Sequence, residues 1–476
     1  MRSVLCFLVF PFALSALLPA AATTYTVLPD GTGDFPNIQA AIEAAADGDV
    51  IELGDGLFTG PGNHDIYFLG KAITVKSAAD QADLCIIDCQ GSAATPRRGF
   101  LFADGEGQDS VLRDVTVTNG YAPVSPYLER GGCIHVRFAS PRFLRCVFRG
   151  GHAASSGGGV HVRNGDPVFV ECTFTQNSAG MGGGLDTQIA SVSLSSCVFE
   201  NNQAVLGGGA ALRDAGPYPL SLSSCVFIGN AAEQTGGGLV TGEGRAELFG
   251  CEFIGNTAAT AGAARIESTE ETAIKSCLFL DNEGFSGVGG LSQYVSPGTP
   301  VVLYGCTFAR NRGGGDGGAV YLGSGGVSYT ETYLESCTFH ANEANRGSAV
   351  HCSGWVWAVF AYCLLGFSPV GMPVTGDQEA FAYVGCCDVF GNAYGDYVGI
   401  IEDYAGINGN ICQDPWLCDP AADDFRLDEN SPCRPYSPPN PECDLIGAHP
   451  VGCDITPAHQ SSWGGIKSMF RPAAGE

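Results

Sequence analysis

A glycine-rich segment and a Cys-x-Phe motif return together along this chain at intervals of 25 to 31 residues. The motif stands at Cys146, Cys172, Cys197, Cys225, Cys251, Cys277, Cys306 and Cys337, with Cys363-x-Leu365 as a degenerate ninth copy. An asparagine follows five positions later in seven consecutive units: Asn177, Asn202, Asn230, Asn256, Asn282, Asn311 and Asn342. A unit repeated this often indicates an architecture in which each copy packs against its neighbours.

The spacing inside each unit predicts a corner in the backbone. A large apolar residue stands three positions before each cysteine: Phe143, Phe169, Leu194, Leu222, Leu248, Ile274, Leu303 and Leu334. Side chains alternate along a strand, so an offset of three cannot keep both residues on one face of a straight strand. The chain must turn just before the cysteine, where a small residue usually stands: Ser196, Ser224, Gly250, Ser276, Gly305 and Ser336.

Each unit is therefore predicted to hold three short strands, which can bury their apolar faces only by stacking on the next unit. Stacked parallel strands lie about 4.8 Å apart, and this arrangement is a parallel β-helix. The cysteines then form a column of buried thiols that act as small apolar groups. The asparagines form a structural ladder at a turn. The segment "FPNIQAAIEAAADGD" predicts a helix that caps the open end of the coil.

The chain divides into four predicted segments. Residues 1–22 read as a secretory signal peptide, because an arginine is followed by an apolar run and by small residues at a cleavage position. Residues 23–410 form the β-helix with its N-terminal cap, residues 411–453 a Cys/Pro-rich C-terminal cap, and residues 454–476 a tail. Within the C-terminal cap, disulfides are expected among Cys412, Cys418, Cys433, Cys443 and Cys453.

Composition argues against several classes of partner. The formal net charge is −27, which argues against nucleic acid or an anionic membrane surface as the main partner. No later stretch approaches the length of apolar sequence that a transmembrane span requires. We expect no cofactor and no metal, and we expect the mature protein to be secreted or displayed on the outer cell surface.

The unit GGG-(V/L)…C-x-F-x-x-N resembles the right-handed parallel β-helix proteins of the pectin-lyase-like superfamily and, within it, the repeats of bacterial polymorphic outer-membrane proteins. The match covers about Gly131 to Asn342. The resemblance implies a right-handed coil and export to the surface or medium. The full prediction is an all-β, single-stranded right-handed parallel β-helix with three sheets, an N-terminal capping helix and a Cys/Pro-rich C-terminal cap.

The strand after each glycine segment predicts one surface of interest. With Val160 and Val162 pointing inward, two neighbouring outward columns gather histidines, arginines and an aspartate near their start. These candidate glycan-binding residues are His135, Arg137, His161, Arg163, Asp186 and Arg213. Arginine offers a planar fork to carboxylates, so this face is able to bind a carboxylated sugar chain. The plain alternative is that these are ordinary solvated side chains on a strand face.

A second predicted surface is apolar. Val226, Ile228, Ile254, Leu278 and Leu280 flank the cysteine and phenylalanine positions and should point outward. Either a neighbouring loop covers them or they form an interface with another molecule or the cell envelope.

Two functions follow as hypotheses. The first is a non-catalytic secreted or surface β-helix with an adhesion, glycan-binding or structural role, whose partner is an extracellular polysaccharide or a cell-envelope component. The alternative is a lyase or hydrolase of uronate-containing polysaccharide. The catalytic motifs of pectin methylesterases, polygalacturonases and pectate lyases are missing from the sequence. His161, Arg163 and Asp186 are the residues able to supply a base beside a charge-neutralising group.

Overall fold

The chain coils into a parallel β-helix, as predicted. The computed structural model describes residues 22–122, 130–213, 220–296, 299–326 and 328–453. Each turn of the coil, called a rung here, adds a strand to three long parallel sheets, which we name A, B and C. A fourth, shorter parallel sheet, D, joins them along the middle of the molecule. The predicted signal peptide and tail lie outside the described residues, apart from Ala22.

Sheet A contains 14 strands: Thr24–Val27, Val50–Leu53, Thr74–Ser77, Val111–Arg113, Arg142–Leu144, Val168–Val170, Ser193–Ser195, Leu220–Ser223, Ala246–Phe249, Thr272–Lys275, Val301–Tyr304, Thr330–Glu335, Val356–Ala361 and Phe381–Gly385. Sheet B contains 13: Gly56–Phe58, Cys85–Asp88, Thr116–Thr118, Val147–Arg149, Thr173–Thr175, Val198–Glu200, Val226–Ile228, Glu252–Ile254, Leu278–Leu280, Thr307–Ala309, Thr338–His340, Leu364–Gly366 and Asp388–Phe390. Sheet C contains 12: Ile66–Tyr67, Phe100–Phe102, Ile134–Arg137, Val160–Arg163, Leu185–Gln188, Ala210–Arg213, Leu239–Thr241, Ala264–Ser268, Leu291–Val295, Val320–Ser324, Val350–Gly354 and Val374–Gly376. Sheet D contains seven: His152–Ser156, Ser178–Met181, Gln203–Leu206, Ala231–Thr235, Thr257–Ala258, Glu283–Gly284 and Arg312–Gly313.

The repeated residues stack in register, one above the next. Phe174 pairs with Phe199, and Phe199 pairs with Phe227. Their ring centroids lie 4.5 Å and 4.6 Å apart, and the ring planes differ by 3° in both pairs. The cysteines of the repeat are buried free thiols, as predicted. Burial raises the pKa of the Cys172 thiol, which keeps it protonated and apolar in character.

The predicted corner lies immediately before each cysteine. Ser196 and Ser224 adopt φ of 53°, and Gly250 adopts φ of 60°. Arg145 and Glu171 have large side chains and lack the backbone freedom of glycine. They nevertheless take the same left-handed conformation, with φ of 51° and 54°. Because one residue in this conformation redirects the chain, the apolar residue before the corner and the cysteine after it both point into the core.

Sheet D adds a fourth strand to each of seven rungs, and the sequence analysis did not predict it. It forms between the asparagine and the glycine segment, where residues such as Ser178 and Ala179 are small and extended. The glycine segment after each of these strands lets the rungs approach closely. A Cβ on Gly158, which follows the strand His152–Ser156, would lie 2.5 Å from the carbonyl oxygen of Gly183 in the next rung. Backbone pairing in this segment therefore depends on glycine at the next corner.

Both ends of the coil are covered. The predicted N-terminal cap is a short helix, Ile38–Ala44, which begins after the N-cap residue Asn37 and buries Ile38, Ala41 and Ile42. Near the other end lie two 3-10 helices, Gly399–Tyr404 and Pro420–Ala422, and an antiparallel hairpin of Leu417–Asp419 with Asp424–Leu427. Within the described ranges, no helix has the length and hydrophobicity needed to span a lipid bilayer.

The hairpin covers the apolar outer surface of sheet B. Phe425 packs in one cluster with Leu280 and Ala309, and Ile254 and Leu278 pack against that cluster. Of the two interpretations of this surface, cover by another part of the same chain is therefore correct for its C-terminal half.

Two disulfides stabilise the C-terminal region, and one of them was not expected. Cys418 pairs with Cys453 inside the cap, whereas Cys443 pairs with Cys386, the corner residue of the last complete rung. Cys412 and Cys433 are free thiols, so the predicted disulfide formation was wrong for these two. The side chain of Cys433 instead lies against a buried carboxyl group, with its Sγ 3.2 Å from Oδ2 of Asp388.

That carboxyl group makes the cap sensitive to pH. Burial raises the pKa of Asp388 to about 7, and the negative charges of Asp396 and Asp414 act in the same direction. The folded protein then binds this proton more tightly than the unfolded chain does. The resulting stabilisation is fully present below pH 4 and is lost as the pH rises through about 7.

We expect Asp388→Asn to remove this component. The natural protein loses stability as the pH rises from 5 to 7, and the variant should not. The difference in free energy of unfolding should therefore shift by roughly 2–3 kcal/mol in favour of the variant over this range. Thermal unfolding of both proteins across this pH range measures the difference. A difference in melting temperature that does not change with pH would contradict the assignment.

Candidate functional site

The predicted surface residues lie on the outer side of sheet C, on four successive strands. His135 pairs with His161, and His161 pairs with Asp186. Two residues further along each strand, Arg137, Arg163, Gln188 and Arg213 form the second column. We call these two columns the sheet C face. The register thus brings all six predicted residues to one surface.

Burial differs sharply among them. Arg137 is exposed, and Arg163 and Arg213 are half-buried, which agrees with the predicted outward direction. His161 and Asp186 have no exposed side-chain surface, and His135 is 7% exposed. The interpretation of the histidines and the aspartate as solvated side chains is therefore wrong, because all three are buried.

The buried residues form an ion-paired cluster. Nδ1 of His161 lies 2.9 Å from Oδ2 of Asp186. Nη2 of Arg213 donates to Oδ1 and Oδ2 of the same carboxylate at 2.8 Å and 3.0 Å. The carboxylate of Asp186 is thus held from both sides, and the charge of Arg213 is compensated before any ligand arrives.

Both histidines of the cluster are kept neutral. Burial lowers the pKa of His161, and Asp186 opposes that shift only in part. Burial, with the nearby charge of Arg98, lowers the pKa of His135 to about 2. Within the described residues, Nε2 of His161 and Nδ1 of His135 are buried without a hydrogen-bond partner.

Arg130 is a member of this surface that the sequence analysis missed. It precedes the first glycine of its rung, and its Nη1 donates to Oε1 of Gln188 at 3.2 Å, two rungs away. Its side chain therefore crosses the rung that carries His161. A residue before the glycine segment was outside the strand pattern used to choose candidates, so the pattern had no means of finding it.

The sheet C face has an excess of positive charge. It carries the guanidinium groups of Arg130, Arg137, Arg163 and Arg213, and among the described residues only that of Arg213 forms an ion pair. The guanidinium of Arg137 lies over the ring of Phe138, 5.4 Å from its centroid. Nε of Arg163 is buried and has no partner among these residues. On a chain of net charge −27, this is a local reversal of sign.

An open groove continues from Arg213 along the same side of the coil. Its first part, of about 600 Å³, is lined by Arg213, Thr241 and Arg265. A second hollow, of about 310 Å³, shares Arg265 with the first and reaches Tyr294. The guanidinium of Arg265 stacks over the Tyr294 ring at 5.1 Å and donates to Glu267 at 2.8 Å.

The local sequence and the sheet topology agree with a known family. Residues 99–260 match the family described as the right-handed β-helix region. The fold is a right-handed parallel β-helix. It is similar to that of pectate lyase Pel9A, in a crystal structure with a TM-score of 0.38 and 14% sequence identity, over 90% of this chain and 96% of that one. No curated protein matches the sequence.

In the part of the chain that the structure describes, no three histidine, cysteine or acidic side chains are grouped so as to hold a metal ion. What the face offers chemically is a set of fixed guanidinium groups at one end and a polar groove with an aromatic edge at the other.

Proposed function

We propose that this protein is an exported, non-catalytic polysaccharide-binding protein, and that the sheet C face binds an acidic sugar chain. The observation that carries the proposal is the group of four arginines, of which only Arg213 forms an ion pair among the described residues, on an otherwise strongly acidic chain. Charge-assisted hydrogen bonds from arginine to carboxylate are among the strongest polar contacts that proteins make.

The spacing of the arginines suits a chain that lies along the axis of the coil. Arg137 and Arg163 occupy paired positions on adjacent strands, which places their backbones about 4.8 Å apart. Guanidinium groups on neighbouring positions of adjacent strands repel each other, and a bound carboxylate relieves that repulsion. Beyond Arg213, the groove carries Glu233, Glu243 and Glu267 beside Arg265. An acidic sugar chain is therefore expected to bind at the arginine end of the face and not to extend into the groove.

The first test removes two of the three guanidinium groups that form no ion pair among the described residues. The double variant Arg137→Gln/Arg163→Gln should bind oligogalacturonate and oligomannuronate at least about tenfold more weakly, because it loses charge-assisted hydrogen bonds. Isothermal titration at two salt concentrations measures the affinity and its ionic component. Binding by the natural protein should weaken as salt is raised.

A matched control changes the net charge equally elsewhere. Arg245→Gln/Arg312→Gln removes two arginines that are 43% and 68% exposed on other parts of the coil. This control should bind as the natural protein does. Equal losses in both double variants, or equal binding of uncharged oligosaccharides by the natural protein, would contradict an acidic-sugar site on the sheet C face.

One observation favours the alternative function, a polysaccharide lyase or hydrolase. The Asp186 carboxylate orients the neutral imidazole of His161, as it would for a general base. Since His161 is fully buried, a substrate would reach Nε2 only after the side chains around it had moved. Formation of unsaturated products or new reducing ends from uronans, abolished by His161→Gln, would establish this alternative in place of simple binding.

A further inference from the structure

The outer side of sheet A carries a group of exposed aromatic rings near the C-terminal end of the coil. We call it the aromatic face, and it consists of Tyr304, Tyr329, Tyr333, Trp357, Phe381 and Tyr383, which are 37–53% exposed. Four of them stand on the last three strands of the sheet, Thr330–Glu335, Val356–Ala361 and Phe381–Gly385. These strands have six, six and five residues and are longer than the others of sheet A.

The strand pattern directs these rings outward. In Thr330–Glu335, buried and exposed residues alternate without interruption, and the following two strands repeat the pattern around Trp357, Phe381 and Tyr383. The inward positions, such as Leu334 and Phe360, are fully buried. The exposed rings are therefore not part of the hydrophobic core.

The rings are held in a fixed arrangement. Trp357 pairs directly with Phe381, while Tyr333 and Tyr383 stand two strands apart with Val359 between them. The ring of Tyr329 contacts that of Phe381 edge-on, with centroids 5.6 Å apart, and Tyr383 makes a similar contact with Tyr404 at 5.7 Å. A preorganised surface of this kind loses little side-chain entropy on binding.

Leaving such rings in water has a cost, since fully burying a large apolar side chain stabilises a protein by about 1.5–3 kcal/mol. A continuous exposed group of aromatic side chains is thus a mark of a binding surface. The question is which occupant fits the groups that lie between the rings.

Carboxylates alternate with the rings on this face. Glu331 pairs with Trp357 across the strands, and it accepts a hydrogen bond from the hydroxyl of Tyr333. Glu335 occupies the position next to Tyr304. A protein interface would have to desolvate these carboxylates, and an acidic polymer would be repelled by them. An uncharged sugar chain avoids both penalties, because its C–H faces stack on the rings and its hydroxyls donate to the carboxylates.

From this combination we propose that the aromatic face binds an uncharged polysaccharide, with Trp357 and Tyr383 as the main stacking residues. The ligand lies across the strands, so that successive sugar rings meet successive rungs. This site differs from the sheet C face in its position, on another sheet, and in its chemistry, since carboxylates and not arginines lie beside its described rings. The protein thereby acquires two separate surfaces for two kinds of sugar chain.

The test uses the full protein and a panel of uncharged polysaccharides: cellulose and mannan as insoluble polymers, and xyloglucan, xylan and mixed-linkage glucan in solution. We expect at least one of them to bind and to change the tryptophan fluorescence. Trp357→Ala and Tyr383→Ala should each weaken that binding at least about tenfold, whereas Trp357→Phe should retain most of it. Phe249→Ala is the matched control, because Phe249 is an isolated exposed ring, 59% accessible, on the same side of sheet A.

Three results would overturn the proposal. One is that no uncharged polysaccharide of the panel binds. Another is that Trp357→Ala and Phe249→Ala have the same effect. The third is a concentration-dependent dimer that Trp357→Ala abolishes, which would make the aromatic face a contact between two copies of the chain. The double variant Arg137→Gln/Arg163→Gln should leave uncharged-polysaccharide binding unchanged, so the two sugar-binding proposals fail or succeed separately.

Discussion

Gly237→Ala is expected to destabilise the coil by at least about 3 kcal/mol, at the upper end of the range for overpacked cores. A Cβ on Gly237 would lie 2.3 Å from the carbonyl oxygen of Gly262 and 2.5 Å from that of Thr257. Both atoms belong to the backbone of the next rung, so the clash cannot be relieved by rotating a side chain. The rungs would have to separate, and the hydrogen bonds of neighbouring strands would lengthen.

Thermal and denaturant unfolding, followed by circular dichroism, measure this loss. Gly107→Ala provides the control, since a Cβ on Gly107 meets no atom within 4 Å. The control should unfold within about 0.5 kcal/mol of the natural protein. If the two variants proved equally stable, close backbone approach would not be the reason for glycine at this corner.

Asn202→Asp is expected to have an effect of similar size for an electrostatic reason. Oδ1 of Asn202 accepts from the backbone and side-chain nitrogens of Asn177, both at 3.0 Å. Its Nδ2 donates to the carbonyl oxygen of Phe174 at 2.8 Å and to Oδ1 of Asn230 at 3.0 Å. An aspartate has the same shape but places an acceptor against two acceptors, in a position with no exposed surface.

The ionised form of this aspartate would be a buried charge without a cation, which costs about 3–5 kcal/mol. Its pKa in the folded protein should therefore be raised. The destabilisation should be largest at pH 7 and should decrease as the pH falls towards 4. Asn201→Asp is the matched control, because Asn201 is the adjacent residue and is exposed. Equal effects at both positions would show that the ladder does not discriminate amide from carboxylate.

Much of the fold was predictable because the same physical constraint is repeated in each rung. Cysteine, phenylalanine and asparagine recur at fixed offsets, so the corner, the inward positions and the stacked columns were each predicted from many copies at once. The capping helix was also predictable, since its apolar spacing is local. Sheet D was missed because its strands mix small, polar and apolar residues without a regular apolar pattern.

The candidate site was predicted only in part. Strand alternation placed Arg137, Arg163 and Arg213 on one side of sheet C, and the register agrees. Alternation could not show that Asp186 is buried or that Arg213 is bound to it. The aromatic face was within reach of the sequence, because "TETYLE", "VWAVFA" and "FAYVG" alternate clearly, but these strands lie beyond the most regular repeats.

The sequence by itself determined that the chain coils, where each rung turns and which residues enter the core. These properties follow from local spacing and from neighbours one repeat away. The tertiary structure alone decided which outward positions are covered and which distant residues meet. Arg130 reaches Gln188 two rungs away, the C-terminal hairpin lies over sheet B, and Cys386 pairs with Cys443. The physical reason is that burial of an outward side chain depends on segments distant in sequence, whose positions no periodic pattern encodes.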